Sequence, residues 1–343
     1  ADVGKGASWA AAGMLAPAYE ALDDNGVHPE LFRFCMEAAH YWKSFASELQ
    51  NHSSDTLEYG DAGALACAAD TEQMQRLTAL EAACEQKGIP SRLLSPRDAR
   101  LLEPSLGPDV LSALLLPTDQ QIDNWAVISA LKSLVQAAGA SIVVHQAVER
   151  LESEGDGYLI SGHGKFDRIV WAAGEASRVP VTVDGEGVDL SPHTEIIPLK
   201  GQMLATTPVV EAPSRVLRFG TGYVAPKSSR IVIGSTSEWR EDDTRVTEAA
   251  IADLKERAAM ICPVLGKAET TMKWAGVRPG TTNHAPVIGW THVPGIALAA
   301  GHYRNGILLA PLTGEVVGDL VFGGEHSHWG QVFSPQRSTE NIV

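Results

Sequence analysis

The stretch from residue 123 to residue 174 restricts the possible folds more than any other part of the chain. It opens on Asp123, a good N-cap, and Val127, Leu131, Leu134 and Val135 then recur at i, i+4, i+7 and i+8 up to the stop signal Gly139. Three short strands are predicted next, over 141–148, 158–161 and 168–172, with Gly155-Asp156-Gly157 and Gly162-His163-Gly164 as hairpin turns. The last of them closes on Ala172-Ala173-Gly174. A helix, a small meander and a strand ending in glycine form the second half of a dinucleotide-binding sheet, so the fold class is α/β.

Other elements are weaker but readable. Leu31, Cys35, Ala39 and Trp42 share one stripe of a predicted helix over 29–49, and further helices are predicted over 71–86 and 95–102, the last capped by Ser95-Pro96. Residues 181–240 alternate and are rich in turn formers, which predicts an antiparallel sheet with strands over 196–206, 216–218, 222–226 and 231–235. Gly220-Thr221-Gly222 reads as a turn between two of them. A helix over 247–260 follows, then a strand over 295–300, a last helix to about 320, and a tail after Gly324 expected to be irregular.

With 343 residues the chain is long enough for two domains. Its formal charge of −15 and lack of any Lys/Arg run argue against a nucleic-acid partner. No uniformly apolar run approaches a membrane span, and nothing at the start looks like a secretion signal. The four cysteines, Cys35, Cys67, Cys84 and Cys262, form no CxxC pair, so cysteine ligation of a metal is not expected and a reducing cytoplasm suits them. His326-Ser327-His328 has the look of a chelating pair, but its place in the tail favours no metal site.

The richest chemical signal is C-terminal. Trp274-Ala275-Gly276-Val277-Arg278-Pro279-Gly280 is followed by Pro286-Val287-Ile288-Gly289, then by Gly301-His302-Tyr303-Arg304-Asn305-Gly306 opening the last helix. Glycines between a strand and a helix let a ligand approach backbone N–H groups at the electropositive helix start. Taken alone, the turn fits an ordinary crossover as well as a cofactor loop, and Arg278 fits a structural ion pair as well as an anion site.

These runs resemble members of the D-amino-acid oxidase superfamily, and within it the glycine oxidases of the thiamine pathway. The opening run from Gly6 to Pro17, with Lys200-Gly201-Gln202 and Tyr223-Val224-Ala225-Pro226, resembles three further marks of that family, in family order and spacing. The resemblance implies a glutathione-reductase-type FAD domain with a substrate domain of antiparallel sheet and helices. It implies FAD segments at 1–55, 111–180 and 275–343, and substrate segments at 56–110 and 181–274. Non-covalent FAD is implied, held by Ala7, Ser8, Ala12, Gly13, Met14, Val148, Ala173 and Gly174, and by His302, Tyr303, Arg304, Asn305, Gly306, Ile307 and Leu308 around the flavin pyrimidine. Arg278 and Tyr223 would bind the carboxylate of a small amino acid, and Arg304 its amino group through the carbonyl. The implied reaction passes the Cα hydride to flavin N5, with O2 as final acceptor and hydrogen peroxide as product. Quinone-linked dehydrogenases and hydrogen cyanide synthases are neighbouring alternatives, and Thr221, where some relatives have His, and Tyr303, where Phe is common, leave the amine open.

One family mark is missing. No GxGxxG occurs in the sequence, whereas the family opens with a strand, a glycine-rich turn, a helix and a strand ending in an acid. Ala1 falls where that second strand would just have ended. The expectation is an upstream stretch of a longer protein, with a complementing chain or a flavin-free interaction module as alternatives, and a homo-oligomer rather than a bare monomer. Asp119 and Glu238 are expected to be solvated, the stripe of 123–138 to be core, and Glu20 to be either a surface carboxylate or a neighbour of the substrate entrance.

Overall fold

The computed structural model describes residues 2–21, 27–324 and 327–337. Capping side chains start most of the longer helices. Asp70 accepts from the Gln73 amide at Thr71–Gln86, Ser95 from Asp98 at Pro96–Leu102, Asp123 from Trp125 and Ala126 at Asn124–Ala137, and Thr247 from Ala250 at Glu248–Ile261. Each cap satisfies an N–H that the helix cannot, worth about 1 kcal/mol.

The largest sheet has the order Glu238–Trp239, Ile197–Thr206, Ile231–Gly234, Gly222–Pro226, Val216–Phe219, Ala64–Ala68, Ser112–Leu116, Arg92–Leu94, with Thr270–Gly280 also on Ile197–Thr206. Thr270–Gly280 and Ile197–Thr206 run antiparallel from Ile197↔Gly280 to Thr206↔Thr270, with a bulge at the far end. Val216–Phe219 meets Ala64–Ala68 in parallel, which joins two remote parts of the chain in one sheet. Ser112–Leu116 and Thr270–Gly280 carry this sheet across the boundaries expected at 110/111 and 274/275.

A smaller sheet sets Ile296–Ala300 between Val287–Trp290, antiparallel, and Ile169–Trp171, parallel. Beside it, Arg150–Glu154, Gly157–Ile160 and Gly164–Phe166 form the meander, extended through Val181–Val183 and Glu186–Val188. The predicted strand over 141–148 is not formed. Those residues pair with no described strand, His145 among them turns at φ 60°, and the first meander strand begins only at Arg150.

The helix Leu31–Gln50 packs along the helix Gly306–Phe322, burying Phe34, Trp42, Leu308, Leu312 and Val316 with Trp329 and Phe333. Three expectations change here. The tail is not all irregular: Ser327–Val332 is helical, since Trp329 and Phe333 lie one turn apart and stack at 5.5 Å in that core. The stretch Tyr303–Phe322 is, by length and composition alone, apolar enough to cross a membrane, and in the fold its Leu308, Leu309 and Leu312 are buried. The stripe on Asn124–Ala137 is core only in part, with Val127 buried and Val135 39% exposed.

Candidate active site

Two adjoining cavities, of about 570 and 550 Å3, open between the small sheet, the last long helix and one face of the large sheet. Ala11, Arg278, Tyr303, Arg304 and Ile307 line both.

The first cavity is walled by small residues. Ala7, Ser8 and Ala10 come from a single helical turn whose backbone is pinned from outside: Asn124 Nδ2 donates to the Ser8 carbonyl at 2.8 Å, Trp125 Nε1 to Trp9 at 2.8 Å, and Trp274 Nε1 to Ala10 at 3.0 Å. Trp9 stacks on Trp125 at 5.2 Å, which fixes the turn from the far side. Gly174, His302, Gly306 and Thr313 complete the wall. The helix Gly306–Phe322 starts without a side-chain cap, so its first N–H groups and its positive end lie at the cavity. His302 is half-buried, and desolvation pushes it down to about 4, leaving a neutral ring that hydrogen-bonds Thr313 Oγ1 at 3.0 Å.

Polar groups from the large sheet converge in the second cavity. Arg278 Nη2 donates to Ser235 Oγ at 2.6 Å, and Ser235 also hydrogen-bonds the Tyr223 phenol. Burial holds the Tyr223 hydroxyl above its usual pKa with Arg278 acting against it, so the phenol remains a donor. Close approach explains two glycines. A Cβ on Gly201 would lie 2.4 Å from Arg278 Nη1, and one on Gly234 2.6 Å from the Tyr223 oxygen. Gly201 was singled out in the sequence; its reason is space for the guanidinium.

The structure redistributes the other predicted site residues. Ala12, Gly13, Met14 and Asn305 line the second cavity rather than the first, and Tyr303 and Ile307 line both. Ala173 caps a 3-10 turn and lines neither cavity. Leu308 is turned into the helix core, where its carbonyl accepts from Trp42 Nε1 at 2.8 Å. Val148 is 39% exposed on the unpaired segment and lines neither cavity. The Arg304 side chain is engaged by Glu20, with both guanidinium contacts at 2.9 Å. Burial pushes the Glu20 carboxyl up, Arg304 outweighs it, and Glu20 stays below its usual pKa. Asp119 is not solvated: it is fully buried, accepts from the Ala18 amide at 2.7 Å, and burial lifts it to about 7. Glu238 is half-buried and accepts from Gln202 Nε2 at 2.9 Å. Among the described residues no cluster could hold a metal; His326 lies outside them.

Sequence reasoning missed Ser235 and Arg218. Arg218 pairs with Tyr223 across the two-residue turn Gly220-Thr221, so counting outward from that turn would have placed both side chains on one face.

A small-residue cradle at an uncapped helix start fits the flavin end of FAD, where electron-rich ring positions need N–H donors. The chain is 31% identical over 327 residues to the glycine oxidase of Geobacillus kaustophilus, covering 93% of this chain and 84% of that one. It is 30% identical over 346 residues to the bifunctional protein ThiO/ThiG of Synechocystis, covering 98% of this chain but spanning only about half (49%) of that relative. The crystal structure of glycine oxidase from Geobacillus kaustophilus superposes with a TM-score of 0.84 at 30% identity, over 94% of this chain and 86% of that one. That of glycine oxidase from Bacillus cereus does so with 0.83 at 25%, over 98% and 90%. The model of the DAO family, FAD dependent oxidoreductase, matches residues 1–320, and the chain belongs to that family.

Proposed function

We propose that this chain oxidises a small amino acid, glycine or a small D- or secondary amino acid, at its Cα–N bond. The observation that carries the reading is the Arg278–Ser235–Tyr223 cluster beside the small-residue cavity. A planar guanidinium grips a carboxylate through two parallel N–H donors, which an ammonium cannot do, and a protonated phenol adds a third. Anchoring the carboxylate there turns Cα toward the first cavity. Orientation is then the main contribution, because the reaction breaks one Cα–H bond, forms C=N and releases an electron pair. FAD, when bound, supplies the acceptor for that pair and the route by which O2 becomes hydrogen peroxide. Ala7, Ser8, Gly174, His302, Gly306 and Ile307 would hold its flavin end, and water hydrolyses the released imine to 2-oxo acid and ammonia.

The neutral His302 adds no charge beside the ring, and the Glu20–Arg304 pair keeps a cation from standing alone at the shared wall. A quinone in place of O2 would make the enzyme a dehydrogenase without altering any of these contacts. Peroxide release from glycine, sarcosine, D-alanine and D-proline, set against quinone-dye reduction, tests the reading. Arg278→Lys is expected to raise KM by roughly 100-fold while FAD stays bound. Loss of flavin from that variant, or an unchanged KM, would remove Arg278 from the substrate site.

A further inference from the structure

A second cation faces the same cavity and has no use in the reaction above. Arg218 is 9% exposed and lines the cavity on the side of Tyr223 away from Arg278. Its guanidinium lies 3.7 Å from the Tyr19 ring centroid, and its only hydrogen bond among the described residues is a weak one to the Met14 sulfur at 3.8 Å. Tyr19 is held there by its hydroxyl donating to the Gly220 carbonyl at 3.3 Å. Among the described residues no carboxylate oxygen comes within ion-pair distance of Arg218, although Glu20 and Asp119 act on it through space. Glu20 is engaged by Arg304, and Asp119 accepts from the Ala18 amide through Oδ1, while its buried Oδ2 has no hydrogen-bond partner among the described residues. A buried guanidinium is seldom left without an anion, because desolvating it is costly.

Register supplies the distance. Arg218 pairs with Tyr223, and Tyr223 with Gly234, so Arg218 stands two strands from the one that ends beside Ser235, where the Arg278 guanidinium docks. Two strand spacings set the backbones of Arg218 and Ser235 about 10 Å apart, a span that the side chains and a four- or five-carbon dicarboxylic amino acid between them can bridge.

We propose that the cavity takes an amino acid with a second carboxylate, the α-carboxylate on Arg278 and Tyr223 and the second one on Arg218. This rests on the amino-acid reading above and names its substrate class. Asp70 and Glu72 also line the cavity and Arg76 lines it with them, so the selection falls to the buried Arg218 rather than to the net charge of the opening.

Succinate and butyrate have the same carbon count and differ by one carboxylate, so their binding to the FAD-loaded protein, measured by calorimetry, isolates the second anion. Succinate is expected to bind roughly ten- to hundredfold more tightly than butyrate. In Arg218→Met the ratio is expected to fall to within about threefold, and Arg218→Lys to retain part of it. In turnover, D-aspartate, D-glutamate or iminodiacetate should exceed D-alanine and glycine in kcat/KM by a similar factor, and that advantage should disappear in Arg218→Met. Equal binding of the two acids by the unmodified protein, or a preference that survives Arg218→Met, overturns the proposal. A protein that oxidises none of these amines would end the amino-acid reading, and the succinate-to-butyrate ratio would still decide the role of Arg218.

Discussion

The two sheets that border the site are built to different standards. In the large sheet, Ile197–Thr206 has a partner along both edges, and all but one of its residues are buried. In the small sheet, among the described residues, Ile169–Trp171 pairs only with Ile296–Ala300, and its middle residue Val170 is 42% exposed. Val143 on the unpaired segment is 55% exposed. The groups proposed to bind carboxylate, Arg278, Tyr223, Ser235 and Arg218, all belong to the large sheet or to the residue just past one of its strands. Anion recognition needs donors held to a fraction of an ångström, and a strand paired on both sides supplies that rigidity. The small-sheet side gives only a wall of small residues and a helix end, which a ligand can approach through backbone.

The contrast is easiest to break by hydrogen exchange. Amides of 201–205 should exchange only through global opening, and those of 169–171 through local opening, with a gap of roughly a thousandfold or more. Similar rates in the two stretches would dissolve the distinction. Next in size is a pair of truncations. Leu204→Ala, at a fully buried position of the long strand, is expected to cost about 2–5 kcal/mol in denaturant unfolding, and Val170→Ala no more than about 0.5 kcal/mol. Equal costs would show that the small sheet is as tightly packed as the large one.

The smallest effect probes the seam. Asp119 lies just past Ser112–Leu116 and accepts from the Ala18 and Tyr19 amides, and Tyr19 lines the second cavity. Burial raises its pKa from 3.8 to about 7, so the folded chain binds a proton more tightly than the unfolded one. The stability from this group is therefore complete below about pH 4 and is lost as pH rises through about 7, by at most about 1.4 kcal/mol per pH unit. Asp119→Asn should flatten the difference between unfolding at pH 5 and at pH 7. An identical slope in the variant would mean that Asp119 titrates normally.

Sequence legibility followed the range of the interactions. The helix over 71–86 and the strand over 222–226 are found where they were predicted, because Asp70 caps its own helix and the Gly220-Thr221 turn joins immediate neighbours. The glycine-rich turn at 301–306 drew notice through its glycines, and its proposed flavin role, like those of Arg278 and Tyr223, came through a resemblance carried by four separated runs. Ala64–Ala68 and Ser112–Leu116 went unnoticed as strands: they are buried on both faces and show no alternation.

The amino-acid sequence by itself determined the local grammar of this protein: which segments coil or extend, where caps and turns fall, and the superfamily it resembles. Only tertiary structure decided the charges. Glu20 meets Arg304 from 284 positions away, Asp119 is stripped of water, and Arg218 is brought beside Tyr223 with no ion-pair partner among the described residues. A cap is chosen by residues within one turn, whereas the state of a charge depends on how much water and which counter-charge the whole packed chain leaves around it.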